Sequence, residues 1–254
     1  RQRQMCIRDR NITKAVAHLI IANVLFFLLA QFIPMLQDKA ALYYIENPNF
    51  HWWQVFSHLF MHASVAHIFF NMFALYSFGA PLESYFGSNR FIVFYFACGL
   101  GAAFLHTAVN YYEFHSALDI LQSKGFSISQ AQELLQKGMY NTGWEEALSK
   151  SDFKDMMSAY MIPAVGASGA VYGILVAFGV LFPNAELMLM FLPIPIKAKY
   201  FIPILIGLDL FSGMTGYSIF GSNIAHFAHV GGALIGFILM KLWQKNSFND
   251  RRLY

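Results

Sequence analysis

The chain has 254 residues, of which 57% are hydrophobic, 17% aromatic and only 12% charged, a composition too apolar and too poor in charge for an ordinary soluble domain. Its net charge of +3 comes from basic residues that flank apolar stretches, which argues against a nucleic-acid-binding surface. The composition therefore predicts a protein that is embedded in a lipid bilayer.

Four stretches contain no Lys, Arg, Asp or Glu, and each is long enough to cross a bilayer, which takes roughly 20 helical residues. They are 15–33, 55–80, 91–112 and 159–185. Two further spans are predicted within 200–240, where Asp209 is the only charge and Gly, Ser and Thr interrupt the apolar run between 212 and 223. The predicted fold class is all-α, a polytopic membrane protein built on a bundle of six transmembrane helices.

The distribution of Lys and Arg predicts the orientation in the membrane. With six spans both termini lie on one side, and that side collects 12 of the 17 Lys and Arg residues. Residues 1–10 differ in composition from the rest and need not be native. Without them the same side collects 8 of 13. We predict a cytoplasmic segment 1–14, a six-helix core 15–244 and a cytoplasmic tail 245–254. No removable signal peptide is recognisable, so 15–33 is expected to be retained as the first span.

The segment 113–158 is the one stretch with soluble character, because it carries seven acidic residues against four lysines. We predict that it is an extracytoplasmic helical insertion between the third and fourth spans. Residues 129–137 and 141–148 have the pattern of short amphipathic helices, the second with an Asn or Thr cap. Such a segment is either a small packed cap or a gate above a functional site.

Polar residues in the second and fourth predicted spans indicate candidate chemistry, because polar groups inside a membrane are costly. His67 and Asn71 are four residues apart and so share one helix face. The fourth span carries one hydroxyl between small residues, in Gly166-Ala167-Ser168-Gly169. Taken alone, small residues at this spacing indicate helix packing more readily than catalysis.

The sixth span supplies a partner for that hydroxyl, because it opens with two imidazoles, His226 and His229, followed by glycines. If spans four and six run in the same direction, Ser168 and His229 lie at the same depth. Close packing of the two helices would then bring them within hydrogen-bonding range. The glycines predicted to allow this approach are Gly169 and Gly173 on one helix and Gly231, Gly232 and Gly236 on the other.

A serine and a histidine at matching depth predict nucleophilic catalysis, since a serine hydroxyl is a weak nucleophile until a base removes its proton. We predict a dyad without a carboxylate, because Asp209 is expected toward the other end of the site region. Attack on an amide creates an oxyanion that needs hydrogen-bond donors. The predicted donors are His67, Asn71 and the backbone N–H of Ser168 near a helix N-terminus.

These motifs resemble those of the rhomboid intramembrane serine proteases, which carry His-x-x-x-Asn, Gly-x-Ser-Gly and Ala-His-x-x-Gly on the second, fourth and sixth core helices. The resemblance covers about residues 15–243. It implies Ser168 as nucleophile, His229 as general base, and His67 with Asn71 in the oxyanion hole. It further implies transmembrane protein segments as substrates, an acyl-enzyme intermediate, no metal or organic cofactor, and the plasma membrane of a bacterium; it implies no particular oligomeric state.

The resemblance also assigns flanking residues. His62 matches a flanking position of the family's site, Tyr172 matches the aromatic residue that stacks on the catalytic imidazole, and Glu83 matches a structural glutamate after the second span. One departure concerns the first loop, where Gln54 follows Trp53 in place of the family's arginine. This departure predicts an altered loop and unaltered chemistry.

Three other functions would leave different patterns in the sequence. A catalytically silent relative that binds and escorts membrane clients would usually lack catalytic residues, and a small transporter would carry more ionisable residues along its path than Asp209 alone. A metal site would draw on the imidazoles, but neither thiolate nor carboxylate joins them, and the two cysteines suggest no metal set. The histidines in question are His58, His62, His67, His226 and His229.

Overall fold

The computed structural model describes residues 12–189, 192–217 and 225–250, and these are mostly helical. Three parts of the predicted organisation lie outside the described residues. They are the charged segment 1–10, the end of the tail from 251, and most of the predicted interruption between the last two spans. The first half contains α1 (Lys14–Phe32), α2 (Pro34–Ala40), α3 (Gln54–Ser57), a 3₁₀ turn (His58–Phe60), α4 (Val65–Ala74), a π-helical turn (Leu75–Gly79), α5 (Ala80–Phe86) and α6 (Ser88–Ser123). The second half contains α7 (Ile128–Gln136), α8 (Trp144–Ala147), α9 (Lys150–Met161), α10 (Ser168–Leu181), the antiparallel pair β1 (Glu186–Leu189) and β2 (Leu192–Lys197), α11 (Ala198–Thr215) and α12 (His226–Asp250).

Five of the described helical segments are long and apolar enough to cross a membrane. They are Lys14–Phe32, Val65–Phe86, Ser88–Ser123, Ala198–Thr215 and His226–Trp243. The remaining apolar helix, α10, has only 14 residues, about 21 Å at 1.5 Å per residue. The predicted class of an all-α polytopic membrane protein is confirmed, with one short β-hairpin between α10 and α11 that was not predicted.

The predicted fourth span, 159–185, is divided in the structure between α9 and α10. Pro163 lies between them, and a proline has no N–H to donate and disfavours helical backbone in the residue before it. The next residue, Ala164, instead exchanges two backbone hydrogen bonds of 2.8 and 2.9 Å with Leu42. As a result α10 begins at Ser168 itself.

The centre of the bundle is α10, which packs against α6 and α12, and most of its residues are buried. The N-terminus of α1 is tied to this core by Glu83 of α5, whose carboxylate accepts the backbone N–H groups of Ala15 and Val16, both at 2.9 Å. A carboxylate satisfies the otherwise unpaired donors of a helix start and complements its dipole. This geometry is the structural role that the resemblance implies for Glu83.

A second hydrophobic cluster lies apart from the central bundle. It joins the end of α6 to α7, α8 and α9, and its buried members include Tyr44, Phe114, Trp144 and Tyr160. α6 continues without interruption to Ser123, past the predicted start of the insertion at residue 113.

Within this second cluster the helix predicted at 129–137 is present as α7, capped by the hydroxyl of Ser127. The helix predicted at 141–148 is only the single turn α8, and its predicted side-chain cap was wrong. Gly143 precedes the turn, and the Asn141 side chain accepts the N–H of that glycine instead. The sequence reasoning missed α9.

The loop that departs from the family pattern is stabilised by Gln54, whose side chain is fully buried. Its Oε1 accepts the backbone N–H groups of Tyr43 (3.3 Å) and His51 (3.1 Å). Its Nε2 donates to the carbonyls of Asn49 (2.9 Å) and Lys39 (3.3 Å). The amide thus cross-links three parts of the loop, and a charged residue is not needed for that purpose.

Candidate active site

Gly166 brings the backbone that precedes α10 against the polar face of α4. Its φ of +121° lies in a region that L-residues with side chains rarely adopt. A Cβ at this position would lie 2.7 Å from Nε2 of His67 and 3.6 Å from Nδ2 of Asn71. The Gly166 N–H donates to the carbonyl of His58 at 2.9 Å, which holds the segment in place. Only a glycine fits at this point.

Glycines set the distance between α10 and α12. A Cβ on Gly232 would overlap the carbonyl of Gly169, and a Cβ on Gly236 would lie 2.7 Å from Cα of Gly173. These four glycines face one another as predicted. Gly231 does not, because it faces α6, where its Cβ would lie 2.6 Å from the carbonyl oxygen of Gly101. Close contact of this kind needs small residues on both helices.

At the end of this contact the hydroxyl of Ser168 meets the imidazole of His229. The Oγ to Nε2 distance is 2.8 Å, between residues that are 61 positions apart in the chain. The ring of Tyr172, one turn after Ser168, stacks on the imidazole with centroids 4.1 Å apart and an interplanar angle of 11°. The candidate nucleophile and the candidate base are therefore in hydrogen-bond contact, and the imidazole is held on one face by an aromatic ring.

The expectation that Asp209 lies away from the site was wrong. Its Oδ1 is 3.1 Å from Nδ1 of His229 and 2.6 Å from Nδ1 of His226, and its other oxygen accepts the hydroxyl of Tyr172. The carboxylate is buried, at 1% exposure. A signal for this contact was present in the sequence, because an isolated acid within a span needs an ionisable partner and two histidines open the next predicted span.

Two predicted oxyanion-hole residues lie beside the Gly166 backbone. Asn71 is buried, and among the described residues its Nδ2 has no hydrogen-bond partner. His67 lies in the first turn of α4, where its backbone N–H donates to the hydroxyl of the capping residue Ser64. A buried donor without a partner is uncommon in folded proteins and is the kind of group that a transient anion would satisfy.

His62, predicted as a flanking residue, lies against His67 with ring centroids 5.0 Å apart in an edge-to-face arrangement. It is 3% exposed, and neither of its ring nitrogens contacts a hydrogen-bond partner within the described part of the chain. Burial, together with the nearby His67, lowers the pKa of His62 to about 3. The ring is therefore neutral at ordinary pH and offers one donor and one acceptor.

A small cavity of about 20 Å³ adjoins Ser168, enough for one water molecule. Its lining includes His58, His106, Gly166 and Ser168. Over residues 12–189, 192–217 and 225–250, no group of three or more His, Cys, Asp or Glu side chains is arranged to hold a metal ion.

The family described as "Rhomboid domain" matches residues 49–131 and 139–245 of this chain. The chain is 27% identical over 213 residues to an uncharacterized mitochondrial rhomboid protein of Schizosaccharomyces pombe, an alignment that covers 77% of this chain and 53% of that relative. It is 25% identical over 191 residues to the rhomboid protease AarA of Providencia stuartii, covering 74% and 54%.

The chain is also 24% identical over 226 residues to the mitochondrial presenilin-associated rhomboid-like protein of Mus musculus, covering 88% and 47%. It thus spans about half the length of the curated relatives it matches. Those relatives include a bacterial protein that is named a protease and mitochondrial proteins that are not.

Proposed function

This chain belongs to the rhomboid family, and we propose that it is an intramembrane serine endopeptidase of the bacterial six-helix type, with Ser168 as nucleophile and His229 as general base. The observation that carries the proposal is the 2.8 Å contact between Ser168 Oγ and His229 Nε2. The contact lies within a multi-pass membrane protein. A hydroxyl held on an imidazole in this way is the arrangement that acyl transfer requires.

The proposed reaction proceeds in two steps. His229 takes the Ser168 proton while Oγ attacks the carbonyl carbon of an unwound substrate segment, and the oxyanion is stabilised by His67, Asn71 and the backbone N–H of Ser168. His229 then gives its proton to the leaving amine, which leaves an acyl-enzyme. Water, for which the adjoining cavity has room, attacks the ester with His229 as base and releases the second product.

The proposed substrates are transmembrane segments of other proteins, because the nucleophile lies within a bundle whose exterior faces lipid. We also propose the plasma membrane of a bacterium as the location, with both termini in the cytoplasm, on the strength of the Lys and Arg distribution. Reporter fusions at the C-terminus, one active only in the cytoplasm and one only outside it, test the orientation; activity of the second would contradict it.

The main test is labelling of the purified protein by a fluorophosphonate probe in detergent and in liposomes. We expect labelling of the unmodified chain and its loss in Ser168→Ala and in His229→Ala. Ser84→Ala is the matched control, since its hydroxyl is exposed and donates to the carbonyl of Ala80 within the same helix; its labelling should equal that of the unmodified chain. Cleavage of a transmembrane reporter in liposomes should follow the same pattern.

The alternative is a rhomboid-like protein that binds membrane clients without cutting them. It is favoured if the unmodified chain is neither labelled nor able to cleave the reporter in liposomes while the reporter still co-purifies with it. Because the contact between Ser168 and His229 serves no evident purpose in such a protein, we regard the protease as the better-supported function.

A further inference from the structure

Asp209 is a buried acidic residue of the bundle that the proposed dyad does not use. It is buried within the membrane-spanning helix α11, and it is the only Asp, Glu, Lys or Arg between 200 and 240. An ionised carboxylate at such a position is costly unless it is paired and hydrogen-bonded. Within the described ranges, its ion-pair contacts are with two histidines, His226 and His229.

The hydrogen bonds of this carboxylate determine where protons sit on the imidazole of His229. A carboxylate oxygen accepts, so the nitrogen that faces it must carry a hydrogen. Oδ1 of Asp209 faces Nδ1 of His229 at 3.1 Å, which places the hydrogen of the neutral ring on Nδ1. Nε2 then presents its lone pair to the Ser168 hydroxyl, and this is the tautomer that a general base needs.

The other contacts of Asp209 fix the position of the carboxylate. His226 contacts the same oxygen at 2.6 Å, and the Tyr172 hydroxyl donates to the other oxygen. Tyr172 also stacks on the ring of His229. Tyr172 thus contacts both groups, and it restrains the orientation of the Asp209 carboxylate and of the His229 imidazole together.

We propose that Asp209 is a positioning residue for His229, which holds the Nδ1–H tautomer and stabilises the imidazolium that forms during attack, so that the machinery is a Ser168-His229-Asp209 triad. This inference rests on the proposed function. During acylation the Oγ proton moves to Nε2 and then to the leaving amine, and during deacylation a proton of water moves to Nε2 and returns to Oγ. Asp209 stays unprotonated throughout, in the manner of a triad carboxylate.

The test compares Asp209→Asn and Asp209→Ala with Ser212→Ala. Ser212 is a matched control because it lies three residues further along α11, is equally buried at 1% exposure and, among the described residues, has a hydroxyl without a hydrogen-bond partner. The readouts are the rate of fluorophosphonate labelling, kcat and KM for a transmembrane reporter in liposomes, and the melting temperature. Together they separate a change in chemistry from a change in folding.

We expect both Asp209 substitutions to lower kcat and the labelling rate by about 10⁴, as loss of a triad carboxylate does in other serine proteases. KM should stay within about threefold, since the mutation acts after binding, and Ser212→Ala should match the unmodified chain. A purely structural role predicts a different pattern: a lower melting temperature with unchanged labelling per folded molecule. That pattern would overturn the proposal.

A second readout does not depend on activity. Nitrogen-15 NMR of histidine-labelled protein, with the His229 signals assigned from their absence in His229→Ala, reports which ring nitrogen carries the hydrogen. We expect Nδ1–H in the unmodified chain and a shift toward Nε2–H in Asp209→Ala. An unmodified chain with Nε2–H overturns the proposal whether or not the protein is a protease.

The two proposals fail in distinguishable ways. If Ser168→Ala abolishes labelling but both Asp209 variants label at the rate of the unmodified chain, the protease stands and the triad falls. If the unmodified chain is never labelled, the protease falls, and the NMR measurement alone decides what Asp209 does to His229.

Discussion

At the scale of single residues, Asn71 keeps a side-chain amide buried in α4 without a hydrogen-bond partner for its Nδ2 within the described part of the chain. Leaving a buried polar group unpaired costs about 1–3 kcal/mol of stability. A protein tolerates such a cost where the group is used for binding or catalysis. The position of Asn71 beside the Gly166 backbone makes the oxyanion the ligand that we expect it to bind.

The first prediction follows from that position. Asn71→Ala should lower kcat by about 10² to 10³, the usual effect of removing one oxyanion-hole donor, without lowering the melting temperature. The control is Asn23→Ala, which also removes a buried, incompletely bonded amide, but in α1; it should keep kcat. Reporter cleavage in liposomes measures kcat for both variants, and equal rates for the two would count against an oxyanion role of Asn71.

Gly166 carries the second prediction. Gly166→Ala should lower the labelling rate by about tenfold or more, because the new methyl group displaces His67 and a small misplacement of catalytic groups is costly. Strain from the positive φ alone is tested by Gly125→Ala, where φ is +91° and an added Cβ contacts nothing within 4 Å. That control should lose about 1–3 kcal/mol of stability and label normally.

At the scale of elements, the glycine contact between α10 and α12 determines whether Ser168 reaches His229. Ser168 begins α10 and His229 lies in the first turn of α12, so the separation of the helix axes sets the Oγ to Nε2 distance. Gly169 and Gly173 on α10 meet Gly232 and Gly236 on α12 with backbone against backbone. This contact therefore links the packing of the bundle to its proposed chemistry.

The third prediction is that Gly232→Ala separates these two helices. Its Cβ would overlap the carbonyl of Gly169, and overpacking of this kind costs about 1–3 kcal/mol. Both the melting temperature and the labelling rate should fall. In Gly207→Ala, on α11, the added methyl meets nothing within 4 Å, and the helix should be as stable or more stable. A Gly232→Ala variant that labels like the unmodified chain would show that the contact can relax.

At the scale of the whole molecule, the buried apolar side chains of the described residues form two separate hydrophobic clusters. The larger one joins α10 to its neighbours in the membrane, and the second one joins the end of α6 to α7, α8 and α9. Trp144 is the largest buried side chain of the second cluster, at 1% exposure. The two clusters share α6, so loosening the second one need not disturb the site.

The fourth prediction uses this separation. Trp144→Ala should lower the local free energy of unfolding by about 3–5 kcal/mol and speed proteolysis between residues 124 and 150. If the segment is a small packed cap, labelling of Ser168 should stay within about threefold of the unmodified chain. Trp52→Ala, at a site 71% exposed, should alter neither. A tenfold loss or gain of labelling in Trp144→Ala would instead identify this segment as a gate.

Much of this architecture follows from the sequence, because the length and hydrophobicity of a span are local properties of the chain. The spans of α1, α6 and α11 begin or end within a few residues of the predicted bounds, except that α6 runs on past its apolar stretch. Matching depth and glycine packing predict the contact between Ser168 and His229, because small residues are a reliable sign of close helix contact in membranes.

Other features were decided only by tertiary structure. The rotation of α11 about its axis determines that Asp209 faces His229, and an apolar helix surrounded by lipid carries little periodicity from which that rotation can be read. Gly231 faces α6 for the same reason. The sequence by itself predicted the long apolar helices and the residues that we propose to react, whereas the packing of the helices decided which polar groups meet, because hydrogen bonds between distant residues depend on angles that no local pattern encodes.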